Sequence, residues 1–496
     1  MNTIRVLFYA FIDSEKQYPL LAAFASGLYP LLYYYNANFT LINSWSQFAF
    51  FISLFLILPM VVFYVAYVVI NKINGLKKYG SHLLAILNFS WLGFLILLST
   101  EGLKLKLLAV ILVIAFILGF ILHNHLKKAV VLQLLLAAFV AVKLIPDAHR
   151  HLTYTDDWAK QPDAIEEAVF KKKPNIYVIQ PDGYANFSEL RKAPYNFNNN
   201  EFEQFLSTSG FKLYEGFRSN YYSTLSSNSS MFSMKHHYYN TPKKGANEVY
   251  NSRKTIVGSN PVLTVLKNNG YKTFLMLHKS YLLVNRAKLG YDYCNIGHSE
   301  LSFMARGFGV VKDVESELPS VIKNNATTTN FFFIEQMSPS HISTYKSDSK
   351  GKDEEREGYL KSLEKANVWL KSIVRTIEDN DKNAIVIIAA DHGGFVGLDY
   401  TFQSKTKQED SSLVTSVFTT LFAVKWPDNK APDYDDRLKT NVNIFRVLFS
   451  YLSEDESYLN ALQEDKSYLV IEKGSPFGVY ESIDENGTVV FKKLSK

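Results

Sequence analysis

Five apolar runs fill the first 145 residues of this 496-residue chain, at 20–35, 48–70, 83–98, 105–122 and 130–145. A helix needs about 20 residues to cross the hydrocarbon core of a bilayer, and inside that core every backbone N–H and C=O must find its partner within the segment. A buried helical core of a soluble protein is the competing reading, but five such runs in so short a stretch do not match the composition of soluble domains. The chain is therefore expected to begin with a five-helix transmembrane bundle over residues 1–146. The first and third runs are short and draw on polar flanks. Tyr33, Tyr34, Tyr35 and Trp45 suit an interfacial aromatic belt.

The loops set an expected orientation. Residues 71–80 carry Lys72, Lys77 and Lys78, and 123–128 carry Lys127 and Lys128. Residues 36–44 hold no Lys or Arg, while 99–106 mix Glu101 with Lys104 and Lys106. The positive-inside rule then places the N-terminus and both basic loops in the cytoplasm, and five spans put everything after Pro146 outside. Residues 1–19 show no cleavable signal-peptide pattern. The formal charge of +6 comes from scattered lysines without a basic stripe, which argues against a nucleic-acid partner. Cys294 is the single cysteine, so no intrachain disulfide can form.

Residues 147–173 are charged and carry Trp158 and Phe170. They read either as a juxtamembrane amphipathic helix or as a solvated connector. From 174 to 450 the pattern alternates. Strands are expected at 175–180, 211–215, 271–277, 331–336, 384–390 and 420–424, with helices at 200–209, 261–269 and 354–379 between them. Such alternation predicts an α/β domain whose mostly parallel central sheet is covered by helices on both faces. Residues 451–496, with strand-like runs at 468–472 and 488–492, are expected to pack on that domain as a C-terminal β extension.

Two of the strands end in the same way. One runs into Asp391-His392-Gly393-Gly394, the other into Pro181-Asp182-Gly183. Ligands in open α/β sheets sit outside the carboxyl ends of strands, so Asp182, Asp391 and His392 are candidate metal ligands. Each also has a plainer reading, as a turn-forming Asp-Gly or a surface histidine. Thr224, Ser227 and Ser230 fall three apart and share one helical face. A hydroxyl at a helix N-terminus can hold a phosphate or act as a nucleophile, because free N–H groups point at the anion, although a serine-rich surface loop would read alike. His341, in the loop 335–345 after another strand, is a candidate donor to a phosphate.

In this order, the four segments resemble the alkaline phosphatase/sulfatase superfamily. They are most similar to its membrane-anchored phosphotransferases, the lipid A phosphoethanolamine transferases and the lipoteichoic acid synthases. The resemblance rests on Asp182, on Thr224 followed by Met231-Phe232-Ser233, on Gln336-Met337 with Ser340-His341, and on Asp391-His392. It implies a sulfatase-like catalytic domain (174–450), with Asp182, Asp391, His392 and the Thr224 oxygen on one divalent metal. Zn²⁺ suits such a mixed set best, with Mn²⁺ or Mg²⁺ as alternatives. It further implies Thr224 as nucleophile, His341 as a second catalytic residue, and Asn220, Tyr221, Ser227 and His278 as substrate-binding candidates. The implied location is a bacterial inner membrane with the catalytic domain in the periplasm.

The departures from that family pattern are informative. No cysteines bracket Thr224. Met337 stands where two-metal members carry an Asp four residues before the His, and no histidine follows His392. The family's own second metal site therefore lacks its ligands. A Cys or Ser followed by Pro-x-Arg, the sulfatase signature, is also missing, which argues against sulfate-ester hydrolysis. The resemblance implies a metal-dependent transferase. It would move a phosphoethanolamine or phosphoglycerol head group from a membrane phospholipid, through a phospho-threonine, onto an envelope glycan or lipid. A phosphoester hydrolase and a non-catalytic, membrane-anchored scaffold with a degenerate site are the alternatives. Oligomeric state is not readable from the sequence.

Overall fold

A computed structural model describes residues 2–240, 242–245, 248–304 and 307–495, and the chain divides into two compact units, Met1–Tyr154 and Thr155–Lys496.

The first unit is helical. Among the described residues, three helices are long and apolar enough to cross a membrane: Trp45–Lys72, Lys77–Thr100 and His123–Thr153, with 28, 24 and 31 residues. The other two expected spans also form helices, Pro19–Asn38 and Leu105–Ile121, but they fall short of that measure. In Pro19–Asn38 the polarity of Tyr29, Tyr33–Tyr35, Asn36 and Asn38 is the cause; Leu105–Ile121 has only 17 residues. The described helices thus support three spans by length and composition where the sequence predicts five.

Close packing here depends on small residues. Pro59 has no N–H to offer the Phe55 carbonyl, and the helix relaxes into a π turn at Ser53–Ile57. Gly27 fits against that carbonyl, where a Cβ would stand 1.8 Å from the oxygen. Asn88 and Gln133 exchange hydrogen bonds at 3.1 and 2.7 Å, and Asn88 also donates to the Ala22 carbonyl at 2.7 Å. These bonds satisfy two amides in a segment that offers no water.

The second unit is built on a seven-stranded sheet. Its strands are β1 (Ile176–Pro181), β2 (Lys212–Leu213), β3 (Lys272–Leu277), β4 (Tyr293–Cys294), β5 (Asn330–Gln336), β6 (Ile385–Ala389) and β7 (Phe422–Lys425), in the order β2-β7-β6-β1-β5-β3-β4. The pairs β1/β5, β1/β6, β3/β5 and β3/β4 are parallel; β6/β7 and β2/β7 are antiparallel. Both faces are covered. Tyr177, Ile179, Phe332, Ile334, Val386 and Ile388 share a core with the helix Lys352–Asn380. Ile176, Val178, Phe331, Phe333, Ile385 and Ile387 share the other with the helices Thr224–Ser233, Pro261–Asn268 and Ile444–Ser453. Burial on both sides explains why these strands read as unbroken apolar runs.

The expected strand at 211–215 shrinks to a two-residue edge, and β4, equally short, gives no periodicity to detect. A second, antiparallel sheet joins β8 (Ser467–Ile471), β9 (Gly478–Ile483) and β10 (Val489–Lys493) in the order β10-β9-β8. β9 escapes the sequence reading because Glu481 and Ser482, though buried, interrupt its apolar run.

The stretch 155–173 is neither a separate amphipathic helix nor a solvated connector. It belongs to the second unit, with Ile165, Ala168 and Phe170 in the core. The buried Arg446 guanidinium donates to Asp163 at 2.6 Å and to Gln161 at 2.7 Å. The helix before it continues through Pro146 to Thr153.

A cluster of aromatic rings and histidines joins the two sheets. The Tyr221 hydroxyl accepts from the backbone N–H groups of His237 and Tyr238, and its ring stacks on His237 with centroids 3.8 Å apart. His237 accepts from the Tyr239 N–H at Nδ1 and donates from Nε2 to the Ser226 carbonyl. Burial pushes the imidazoles of His236 and His237 down to about 4 and about 3. Between about pH 6.5 and pH 4 the unfolded chain binds these two protons and the folded chain does not. Stability is therefore complete above about pH 6.5. Below it, each histidine costs about 1.4 kcal/mol per pH unit. Thermal midpoints of the purified protein across this range check the slope, and His237→Gln is expected to flatten it.

Candidate active site

The tips of β1 and β6 lie side by side. Asp182 follows β1 and Asp391-His392 follows β6, each turning sharply out of its strand. Gly183 holds φ +70°, and a Cβ there would stand 2.3 Å from the Ser340 carbonyl oxygen. Gly394 packs against the Tyr359 ring, where a Cβ would stand 2.4 Å away. The Tyr359 hydroxyl donates to the Gly183 carbonyl and accepts from the Ala185 N–H, both at 3.0 Å, pinning the first elbow. Thr224 opens the helix Thr224–Ser233, where first-turn N–H groups have no intrahelical acceptor.

These elements bring four side chains together. Thr224 Oγ1 donates to Asp182 Oδ1 at 3.1 Å and lies 3.4 Å from His392 Nε2. His392 Nε2 is 3.5 Å from Asp182 Oδ1 and 3.4 Å from Asp391 Oδ2. Asp391 Oδ1 accepts from the Gly183 N–H at 3.0 Å, tying one strand tip to the other. The side chains are deeply buried, with exposures of 1% for Asp182, 0% for Asp391, 2% for His392 and 7% for Thr224.

The donor set fits a divalent cation. Ligand atoms of Asp182, Asp391 and His392 all lie within 4.8 Å of one another. Asp391 Oδ2 is buried without a hydrogen-bond partner. His392 Nδ1 donates to the Gly393 carbonyl at 2.9 Å, which leaves Nε2 as the atom facing the carboxylates.

The charges respond to this crowding. Burial lifts the Asp391 carboxyl, and despite the nearby His392 it rises to about 6. Burial also works against an ionised Asp182, but the hydrogen bond and charge of His392, with His341 and Thr224, hold it below the usual carboxylate range. His392 is pushed down by burial and more strongly up by Asp391 and Asp182, reaching about 9. A proton thus occupies the position where a cation would balance two buried carboxylates.

His341 stands beside this cluster, its ring centroid 5.7 Å from that of His392. Its Nδ1 donates to the Ile342 carbonyl at 2.6 Å and lies 3.2 Å from Thr401 Oγ1. Burial lowers its pKa, so the ring is held neutral. Ser340 and Phe395, on the two flanking loops, both adopt the left-handed conformation at φ 68° and 63°. Such strain in non-glycine residues collects where a fold over-determines a site.

The structure does not bring Asn220, Tyr221 or Ser227 to the cluster. Asn220 donates to the Lys466 carbonyl and accepts from the Val442 N–H. Ser227 Oγ donates to the Tyr221 carbonyl at 2.7 Å, and Ser230 to the Ser227 carbonyl, so these hydroxyls serve the packing of the helix. His278 ends β3, half-buried, with Nδ1 unpartnered. Sequence reasoning missed Glu335, a buried acid at the end of β5 whose oxygens both lack a partner. Burial, then the neighbouring Asp182 and Asp391, lift its carboxyl well above the usual range. The available signal was a lone acid closing the run Phe331-Phe332-Phe333-Ile334.

A family model described as Sulfatase matches residues 203–453. No curated protein matches the chain. Among solved structures, the C-terminal periplasmic domain of EcEptC from Escherichia coli is 10% identical, with a TM-score of 0.43 over 63% of this chain and 95% of that one. Lipooligosaccharide phosphoethanolamine transferase A from Neisseria meningitidis, an integral membrane protein, is 12% identical, with a TM-score of 0.40 over 87% of this chain and 95% of that one. Lipoteichoic acid synthase LtaP from Listeria monocytogenes is 14% identical, with a TM-score of 0.41 over 67% of this chain and 91% of that one. At such scores the family rests on the match over 203–453.

Proposed function

This chain belongs to the sulfatase family, within the alkaline phosphatase superfamily, and on that premise we propose that it is a membrane-anchored, metal-dependent phosphotransferase. It moves a phospholipid-derived head group, phosphoethanolamine or phosphoglycerol, onto an envelope glycan or lipid. The observation that carries the reading is Thr224 Oγ1, 3.1 Å from Asp182 Oδ1 and 3.4 Å from His392 Nε2 at a helix N-terminus. A hydroxyl so placed is a nucleophile candidate, and a threonine there does not provide the cysteine or serine from which sulfatases form formylglycine.

Asp182, Asp391, His392 and Thr224 are the residues that would hold a divalent ion. When bound, that ion, zinc before manganese or magnesium for this mixed nitrogen and oxygen set, lowers the pKa of the threonine hydroxyl and draws charge from phosphoryl oxygens. Thr224 Oγ1 attacks the phosphorus of the head group as its proton leaves towards Asp182. The bond from phosphorus to the glycerolipid oxygen breaks, that oxygen takes up the proton passed to Asp182, and neutral diacylglycerol departs. The first-turn N–H groups of the Thr224 helix favour negative charge on the remaining phosphoryl oxygens. With Nδ1–H tied to the Ile342 carbonyl, neutral His341 presents Nε2 as an acceptor. It takes the proton of the acceptor hydroxyl as that group attacks phospho-Thr224, the bond from phosphorus to Oγ1 breaks, and the freed threonine oxygen takes up that proton, which returns His341 to its neutral form.

The apolar helices of the first unit support a tether to the bilayer that holds the donor lipid, and tethering raises effective concentration. Five spans, a cytoplasmic N-terminus and a periplasmic catalytic domain complete the reading. Purified full-length protein incubated with head-group-labelled phospholipid tests it. Diacylglycerol release that requires an acceptor and labels it supports the transferase. Release without any acceptor makes the protein a hydrolase. No release and no bound metal leave a scaffold.

A further inference from the structure

Below the cluster of Asp182, Asp391 and His392, three more polar side chains lie in the interior with no protein partner. Gln180 is 1% exposed, Asn228 and Glu335 are 0% exposed. Both polar atoms of each lack a hydrogen bond: Nε2 and Oε1 of Gln180, Nδ2 and Oδ1 of Asn228, Oε1 and Oε2 of Glu335. Buried polar atoms are almost always paired, and six unpaired atoms on three side chains need a common explanation.

The topology brings the three together. Gln180 on β1 and Glu335 on β5 are register partners, as Val178 and Phe333 are two residues earlier. Val178 and Phe333 belong to the core on the side of the Thr224 helix, so Gln180 and Glu335 point to the same side. That helix presents Thr224, Asn228 and Phe232 at four-residue spacing, along one face. Its first member reaches Asp182, at the tip of β1. Its last stacks edge-on against Phe333, with ring centroids 4.9 Å apart. Asn228 lies between them, which places it over the row of Gln180 and Glu335. None of the six atoms bonds another, so no pairing within the group accounts for their burial.

We propose that Gln180, Asn228 and Glu335 form a second cation pocket beneath the first, one that takes a hard, oxygen-preferring divalent ion such as Mg²⁺ or Mn²⁺. The donor set is two amide oxygens and a carboxylate, with no nitrogen or sulfur ligand, which is magnesium and manganese chemistry and not that of zinc. Bound waters complete the shell and accept from the amide N–H groups. Charge points the same way. Glu335 shares its surroundings with Asp182 and Asp391, and its burial beside them disfavours its charge unless a cation stands next to it. The pocket uses none of the residues at Met337 or after His392 where a second site was sought in the sequence. It does not depend on the transferase reading.

The test is a binding measurement on full-length protein in detergent. The protein is stripped with chelator, reloaded with one equivalent of Zn²⁺, and titrated with Mn²⁺ followed by electron paramagnetic resonance and elemental analysis. One Zn²⁺ and one Mn²⁺ per chain are expected. Glu335→Gln keeps the zinc and weakens Mn²⁺ binding by at least tenfold. Gln180→Met, which removes an oxygen at nearly constant volume, does the same should Glu335→Gln fail to fold. Failure of the zinc-loaded parent to bind Mn²⁺, or undiminished Mn²⁺ binding by folded variants, overturns the proposal.

Discussion

Thr224→Ala is expected to abolish head-group release, lowering turnover by roughly 10⁴-fold or more while the protein stays folded and keeps metal on Asp182, Asp391 and His392. Losses of this size follow removal of a nucleophile whose partners act with it as a unit. The fold should tolerate the change. Thr224 Oγ1 makes one donated bond, to Asp182, and the side chain sits at the first position of its helix, not inside the aliphatic core. Thr224→Ser, which keeps the hydroxyl, is expected to retain measurable turnover. Mass spectrometry of the parent, quenched with donor lipid and no acceptor, should find a phosphoryl adduct on the peptide containing Thr224. A Thr224→Ala variant with normal turnover would remove this residue from the chemistry.

Asp391→Asn is expected to lose tight metal binding, and with it most activity, without lowering the melting temperature of the metal-free protein. Ionised Asp391 is costly in that state. Burial lifts its carboxyl to about 6, above the value in an unfolded chain, so its charge works against folding at neutral pH and offsets the support it gives to the charge on His392. An asparagine can still accept from the Gly183 N–H, the contact that Oδ1 now makes at 3.0 Å. What disappears is the stabilisation supplied by the ion, about 2.7 kcal/mol for the parent at one hundred times its dissociation constant. Melting curves with and without Zn²⁺ separate the two effects. The parent should shift upward on loading and the variant should not.

Much of this site is legible in the sequence because its residues end strands. An apolar run stopping at Asp-His-Gly-Gly, and another at Asp-Gly, identify strand tips, and parallel neighbours put such tips at one edge. The apolar runs at the start of the chain are equally plain. Their number is not, since Tyr29 to Asn38 dilute one helix and another is short. Asn220, Tyr221 and Ser227 mislead for a different reason. They sit within seven residues of Thr224, but their side chains are used for tying the Thr224 helix to the neighbouring loops and the second sheet. Chain proximity reports nothing about direction. Gln180 and Asn228 give no local signal and Glu335 only that of a lone acid closing an apolar run, because the relation between the three is a strand register and a helix face.

The bond from Gly183 to Asp391 spans 208 positions, and that from Thr224 to Asp182 spans 42. β1 lies in the middle of the sheet, flanked by β5 and β6, both made long after it. Closure of such distant pairings is slow and comes late in folding. A chain still emerging from the ribosome or the translocation channel therefore holds an inert threonine. On the proposed mechanism it gains a reactive one only after residue 392 has been synthesised and docked, so competence is acquired at the end of biogenesis.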